Sequence, residues 1–178
     1  AAWSLTINGK VDLSLTLSFE DLLRYPKLEL PSVHQCCGNP LAPFAPTRRV
    51  TSVMWGGVRL ADVLADCRPS ASARYLWSYG ADYGDFAGVS ADAYVKDLPL
   101  ARAEDDVLIA YEMNGAALTA EHGFPARLVV PGLWPCMTAS MASMTRSEAR
   151  RSIPISASVF TARSRSSTGV ASGRVPLG

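Results

Sequence analysis

The chain has 178 residues, 48% hydrophobic and 19% charged, with a formal net charge of +1. That is enough apolar content for one sizeable core, and the length is marginal for two domains. The near-neutral charge gives no reason to invoke nucleic acid or an anionic membrane surface, and no apolar run approaches the roughly 20 residues needed to cross a bilayer.

Ala1 to Ile7 alternates like a strand and lacks the basic and apolar regions of a signal peptide. Asn8-Gly9 is a turn pair, and a second alternating run is predicted from Val11 to Leu17. Ser18 reads as the N-cap of a short helix with Glu20 and Asp21 in its first turn. Leu28 to Val33 is a predicted strand that delivers Cys36 into the turn-forming pair Gly38-Asn39. A thiolate placed there, on a loop tight enough to bring backbone amides near a ligand, suits a soft or high-valent metal. Taken alone, a buried packing cysteine is the commoner role for such a residue.

Pro40, Pro43 and Pro46 make the next stretch an extended loop. Val58 to Cys67 is predicted to be helical, with Val58, Leu60, Val63 and Leu64 on one face and Pro69 closing it. Arg74 to Tyr79 reads as a strand carrying Tyr75, Trp77 and Tyr79 on one face, followed by a long loop marked by Gly80, Gly84 and Gly88 and containing Asp82 and Asp85. Val107 to Tyr111 and Ala126 to Val130 are two more apolar strands, separated by the Met113-Asn114-Gly115 turn and the loop His122-Gly123-Phe124-Pro125. Many short strands with few helices indicate an α+β fold.

Residues 1–136 form the expected domain. From Met137 onward there are ten Ser, six Arg and one acidic residue, Glu148, a local net charge of +5 that leaves −4 on the body. Such a segment buries little apolar surface and is expected to be a divergent or mobile tail. The four cysteines (36, 37, 67 and 136) are too few and too irregular for a disulfide scaffold, and a bond between adjacent Cys36 and Cys37 would be strained. Free thiols point to the cytoplasm, although a metal-bound cysteine would also survive in a periplasm.

Several runs in order carry a resemblance to a known family. They are Gln35-Cys36-Cys37-Gly38-Asn39, Trp55-Gly56-Gly57-Val58-Arg59-Leu60-Ala61-Asp62-Val63-Leu64, Gly80-Ala81-Asp82, Leu98-Pro99-Leu100, Ala110-Tyr111-Glu112-Met113-Asn114-Gly115 and His122-Gly123-Phe124-Pro125-Ala126-Arg127-Leu128-Val129-Val130-Pro131-Gly132. Together they resemble the molybdopterin-binding domain of the sulfite oxidase family, which also includes assimilatory nitrate reductases, and the resemblance spans residues 3 to 134.

The resemblance implies a strand-rich, sulfite-oxidase-type fold in which Cys36 ligates molybdenum beside the dithiolene of molybdopterin. It implies that His122 and Arg127 hold the pterin edge and its terminal phosphate, that Asp82 accepts hydrogen bonds from the pterin, and that Cys37 packs. Trp55 and Met113 are expected to build the core around the site, while Arg48 and Arg49 read as a solvated basic pair. The implied activity is two-electron oxygen-atom transfer on a small oxyanion or sulfur compound. Electrons would pass to a separate acceptor such as a cytochrome, since the chain has no Cys-x-x-Cys-His site. Nitrate or sulfoxide reduction at the same centre is the alternative within the enzyme class. A cofactor-holding remnant without turnover and a structural domain without cofactor are the alternatives outside it.

Departures from the family pattern narrow these expectations. Pro40 and Leu41 stand where many members have oxyanion-binding arginines, and an N-terminal segment bearing another active-site arginine is not recognisable. Past Trp134 the chain reads Pro135-Cys136-Met137-Thr138 in place of a Ser-Val-Lys-Trp-like run, and the family's dimerisation domain, the usual source of a homodimer, is not recognisable either. The tail is expected to have arisen by a reading-frame change in a longer gene, and translating the coding DNA beyond codon 134 in the two other frames tests it.

Overall fold

The alternation Ser4-Leu5-Thr6-Ile7 becomes strand β1 (Ser4–Ile7), with Leu5 and Ile7 buried and the residues between them partly exposed. The structure is a computed structural model and describes residues 3–35, 49–80, 84–86, 89–91, 93–132 and 152–158. β2 (Leu15–Ser18) pairs antiparallel with β1. The expected run from Val11 is shorter because its first half serves another purpose. Val11 bridges Pro69, and the Asp12 and Leu13 amides donate to the Arg68 and Cys67 carbonyls, closing the end of the second helix.

Helix α1 (Phe19–Leu22) starts at Ser18 as predicted, through a reciprocal cap. The Asp21 amide donates to Ser18 Oγ at 3.1 Å, and the Ser18 amide donates to Asp21 Oδ2 at 3.0 Å. β3 (Lys27–Gln35) then runs antiparallel to β4 (Val50–Arg59), from Lys27 opposite Val58 to Gln35 opposite Val50. β4 reaches into the segment expected to begin the next helix: α2 (Leu60–Cys67) starts two residues later than Val58. Val58 is buried as a strand residue, so one apolar residue fits both periodicities.

β5 (Tyr75–Gly80), β6 (Gly84–Phe86), β7 (Val89–Ala91) and β8 (Tyr94–Pro99) follow, with β6 and β7 forming a hairpin inside the stretch expected to be loop. After α3 (Leu100–Ala103) come β9 (Leu108–Met113), β10 (Ala116–Ala117), a 3-10 turn (Ala120–His122) and β11 (Arg127–Val129). The last described element, β12 (Ser152–Ser158), lies in the stretch expected to be a divergent or mobile tail. Pro154, which lacks an amide donor, is a sequence signal against a central strand, yet the segment pairs on both sides.

One sheet has the order β2-β1-β12-β5-β8, with β12 antiparallel to β1 and parallel to β5. The other has the order β10-β9-β4-β3, with β11 added to β9. The main core draws Leu5, Ile7 and Leu76 from the first sheet, Val58 and Ile109 from the second, and Leu60, Val63, Leu64 and Cys67 from α2. Trp3, Phe19 and Tyr111 continue it as a chain of edge-to-face contacts, with centroids 5.9 and 6.0 Å apart. A smaller core (Val53, Trp55, Leu108, Ala110, Leu118 and Val129) covers the opposite face of the second sheet. The α+β, strand-rich architecture is therefore as expected. Among the described residues no helix is long and apolar enough to cross a membrane.

Alternation along β4 and β9 feeds both cores, and the two strands change register between Gly56 and Gly57. A Cβ on Gly57 would lie 2.3 Å from the Ile109 carbonyl oxygen and 2.7 Å from Ala110 Cα, both backbone atoms that cannot rotate away. Replacing Gly57 with Ala is therefore expected to destabilise the protein by about 1–3 kcal/mol, the usual cost of overpacking. Thermal unfolding followed by circular dichroism should show the midpoint falling by roughly 2–4 °C per kcal/mol.

Candidate functional site

In the second sheet the start of β11 is level with Ala110, Gly57 and Leu28, and side chains of the smaller core reach from there toward the end of β3. On β3, Ser32 and His34 turn inward and are buried, whereas Val33 is 65% exposed. On β4, Val53 and Trp55 face the same side. On β11, Val129 packs in that core, and Arg127, two residues away, shares its face of the strand.

At the centre stands the Trp55 indole, 3% exposed. Its Nε1–H donates to His34 Nε2 at 2.7 Å, and the two rings meet edge to face with centroids 5.3 Å apart. The Arg127 guanidinium carbon lies 5.5 Å from the Trp55 ring centroid, within cation–π range. Such a contact contributes about 0.5–2 kcal/mol, more as water is excluded. Arg127 Nη1 also donates to the His122 carbonyl at 3.2 Å.

The loop before β11 is built to hold this arrangement. The amides of His122 and Phe124 donate to the Thr119 carbonyl, each at 3.0 Å, winding the chain into a tight turn. Gly123 sits at φ +92°, where a side chain would be strained, and a Cβ there would press on Arg127 Cβ at 3.1 Å. The Phe124–Pro125 peptide is cis. The Thr119 hydroxyl and His122 Nδ1 are hydrogen-bonded at 2.8 Å, which fixes the imidazole and leaves Nε2 as its remaining polar atom. Beyond β11, Arg102 Nη2 donates to the Pro131 carbonyl at 2.7 Å while its Nη1 pairs with Asp105 and Asp106, anchoring the segment to α3.

Of the expected site residues, His122 and Arg127 are brought together directly. Trp55 is core, as expected, and partly buried Met113 packs against the same cluster. Arg49 is exposed. Cys36, Cys37, Arg48, Asp82 and Cys136 lie outside the described residues, as does the Pro-rich stretch 40–46. β3 ends at Gln35, so Cys36 is its immediate successor in the chain, two residues from His34. The sequence reading assigned no role to His34. The signal for it is an ionisable residue on the apolar-facing parity of a strand otherwise matched by Leu28 and Leu30.

Burial lowers the His34 pKa from its usual value of 6.5, and the positive charge of Arg127 lowers it further. The hydrogen bond agrees, because an imidazolium has no lone pair at Nε2 to accept the indole N–H. The unfolded chain then binds a proton near pH 6.5 that the folded chain refuses until lower pH, so this contribution to stability is full above that value and is lost as the pH falls below it. Denaturant unfolding of the cofactor-free protein between pH 7.5 and 5 should show stability declining with acid, and His34→Gln should flatten the decline.

The domain model described as "oxidoreductase molybdopterin binding domain" matches residues 1–145. The chain is 38% identical over 135 residues to mitochondrial sulfite oxidase of Mus musculus, a match covering 67% of this chain and 24% of that protein. It is 34% identical over 152 residues to sulfite oxidase of Arabidopsis thaliana, covering 74% of this chain and 38% of that protein. It is 31% identical over 148 residues to the NADH nitrate reductase of Ulva prolifera, covering 72% of this chain and 17% of that protein. Among solved structures, the crystal structure of the sulfane dehydrogenase SoxCD from Paracoccus pantotrophus aligns with a TM-score of 0.67 at 29% identity, covering 86% of this chain and 38% of that chain. The chain thus spans about a quarter to two fifths of the sulfite oxidases and the solved structure it matches. From the motifs, the two-sheet fold and these matches alike, the chain belongs to the oxidoreductase molybdopterin-binding domain family, the family of the sulfite oxidases.

Proposed function

We propose that this chain is the cofactor-holding domain of a molybdenum oxidoreductase that transfers oxygen to or from a small oxyanion or sulfur compound. The observation that supports it best is the contact chain from β3 through His34 and Trp55 to Arg127 and His122. It links the strand that leads into Cys36 with the loop expected to grip the pterin.

The donor set suits molybdopterin, which asks its host for one soft sulfur donor and a rigid cationic grip on an anionic, hydrogen-bonding organic half. Arg127 offers a planar fork of donors in a partly buried place, steadied by an indole face and a backbone carbonyl. His122 offers an exposed ring already oriented by Thr119. When bound, the group supplies the two-electron oxygen-atom chemistry.

In this reading the chain's residues orient and insulate it. Cys36 donates the thiolate, a ligand able to stabilise a high-valent centre. Arg127 and His122 fix the pterin edge and phosphate, and Asp82 accepts hydrogen bonds from its ring. The buried Trp55 ring keeps water from the side of Arg127 that it covers, which strengthens its hold on an anion. A separate haem protein would take or give the electrons. The similarity to an NADH nitrate reductase favours one second reading, in which the same centre reduces nitrate.

Protein produced in a host that makes the cofactor is expected to carry one molybdenum per chain by elemental analysis. It should oxidise sulfite with an artificial one-electron acceptor, or reduce nitrate with a reduced viologen. Molybdenum without either turnover would support a cofactor-holding remnant, and no molybdenum would overturn the assignment. Replacing Cys36 with Ser should lower turnover by more than the roughly 10–100-fold that loss of a supporting residue costs. Arg127→Lys should reduce retained pterin, because an ammonium cannot reproduce the paired donors.

A further inference from the structure

We propose that His34 is a positioning residue for the cofactor-binding half of the site. By accepting the Trp55 indole N–H, it fixes the plane against which the Arg127 guanidinium rests, and so sets how firmly Arg127 engages an anionic ligand. This rests on the reading of Arg127 given above and extends it to a residue to which that reading gives no part.

Nothing in the β3 ladder requires an imidazole at this position. His34 pairs with Thr51 through the backbone, and an aliphatic residue would fill the same inward-facing place at lower desolvation cost. What an aliphatic residue would lack is an acceptor. Trp55 is almost fully buried and carries a single donor, which His34 accepts at 2.7 Å. Without His34 that N–H would lose its partner in a buried place. Relief would come from turning the ring toward another acceptor, which would carry its face away from Arg127.

Arg127 has a second tie, a 3.2 Å bond from Nη1 to the carbonyl of exposed His122. The indole is the support that depends on His34. His34 sets its orientation through one contact, the hydrogen bond at the indole edge made by a steeply inclined imidazole, with interplanar angle 66°.

Four variants test this: His34→Leu, His34→Gln, Trp55→Phe and the double variant H34L/W55F. In the loaded protein the readout is the rate at which pterin is released on dilution, followed by the fluorescence of the oxidised pterin. His34→Leu is expected to speed release about 10-fold, the lower end of what losing an orienting neighbour costs. His34→Gln, which keeps an acceptor, should stay within about 3-fold of the parent, and H34L/W55F should release no faster than Trp55→Phe alone. Multiplying effects in the double variant, or parental release from His34→Leu, would overturn the proposal.

A second readout needs no cofactor. In nitrogen-15-labelled apoprotein, His34→Leu should shift or broaden the Arg127 Nε–H resonance and weaken its response to added inorganic phosphate, while His34→Gln restores both. If the parent protein holds no molybdenum, the reading of the site falls and the role of His34 is decided by this resonance alone. An Arg127 signal and phosphate response untouched by His34→Leu would overturn it. Should His34→Leu not fold, Trp55→Phe removes the same hydrogen bond from the other side and is judged by the same two readouts.

Discussion

One buried indole holds the working end of this domain together. Trp55 has a donor at its edge and a π face, and the fold uses both at once: His34 from β3 accepts the N–H, and Arg127 from β11 lies against the face. Strands that are not neighbours in the sheet are thereby joined above it by side chains. The geometry is stiff because its elements are few. A planar ring with two side-chain torsions, fixed at edge and face, has little freedom left.

That indole can be buried only because the second sheet has two apolar faces. One face closes the main core with α2 and the first sheet, and the other carries the smaller core around Trp55. β4 and β9 serve both by the alternation of their side chains, and at their register shift the tight approach of the Ile109 and Ala110 backbone explains why glycine stands at position 57. The Gly-Gly pair that stood out as a family motif is thus also a packing solution. The indole platform on β4 and the arginine-bearing strand β11, which pairs with β9, both hang on this one locally distorted pair of strands.

Much of this was legible before any coordinates. Ser18 and its acidic followers announced the capped helix, because capping is a local interaction between residues three apart. The alternation in Ser4–Ile7 announced β1, and the ordered motifs announced the family and the His122–Arg127 pair. β4 was misread where Val58 satisfied helix and strand periodicity together. His34 passed without a role because its meaning lies in Trp55, twenty-one positions away, and no local pattern encodes a hydrogen bond between non-adjacent strand positions. β12 was invisible for a related reason: its pairing is a property of the backbone, and Pro154 argued against it.

The placement of β12 carries a consequence for the order of assembly. Residues 152–158 lie between β1 and β5, so the first sheet is a ribbon of β1 and β2 and a separate pair of β5 and β8 until they arrive. During synthesis both fragments must wait with open edges while most of the chain is made, a long-range closure of the kind that slows maturation and invites sticking between nascent chains. Among the described residues the strands of the sheet bearing Trp55 and Arg127 end at Val129, so their own pairing does not wait for β12, although one face of that sheet packs against the first. The strands that carry Trp55 and Arg127 can thus pair before the sheet that backs them is complete.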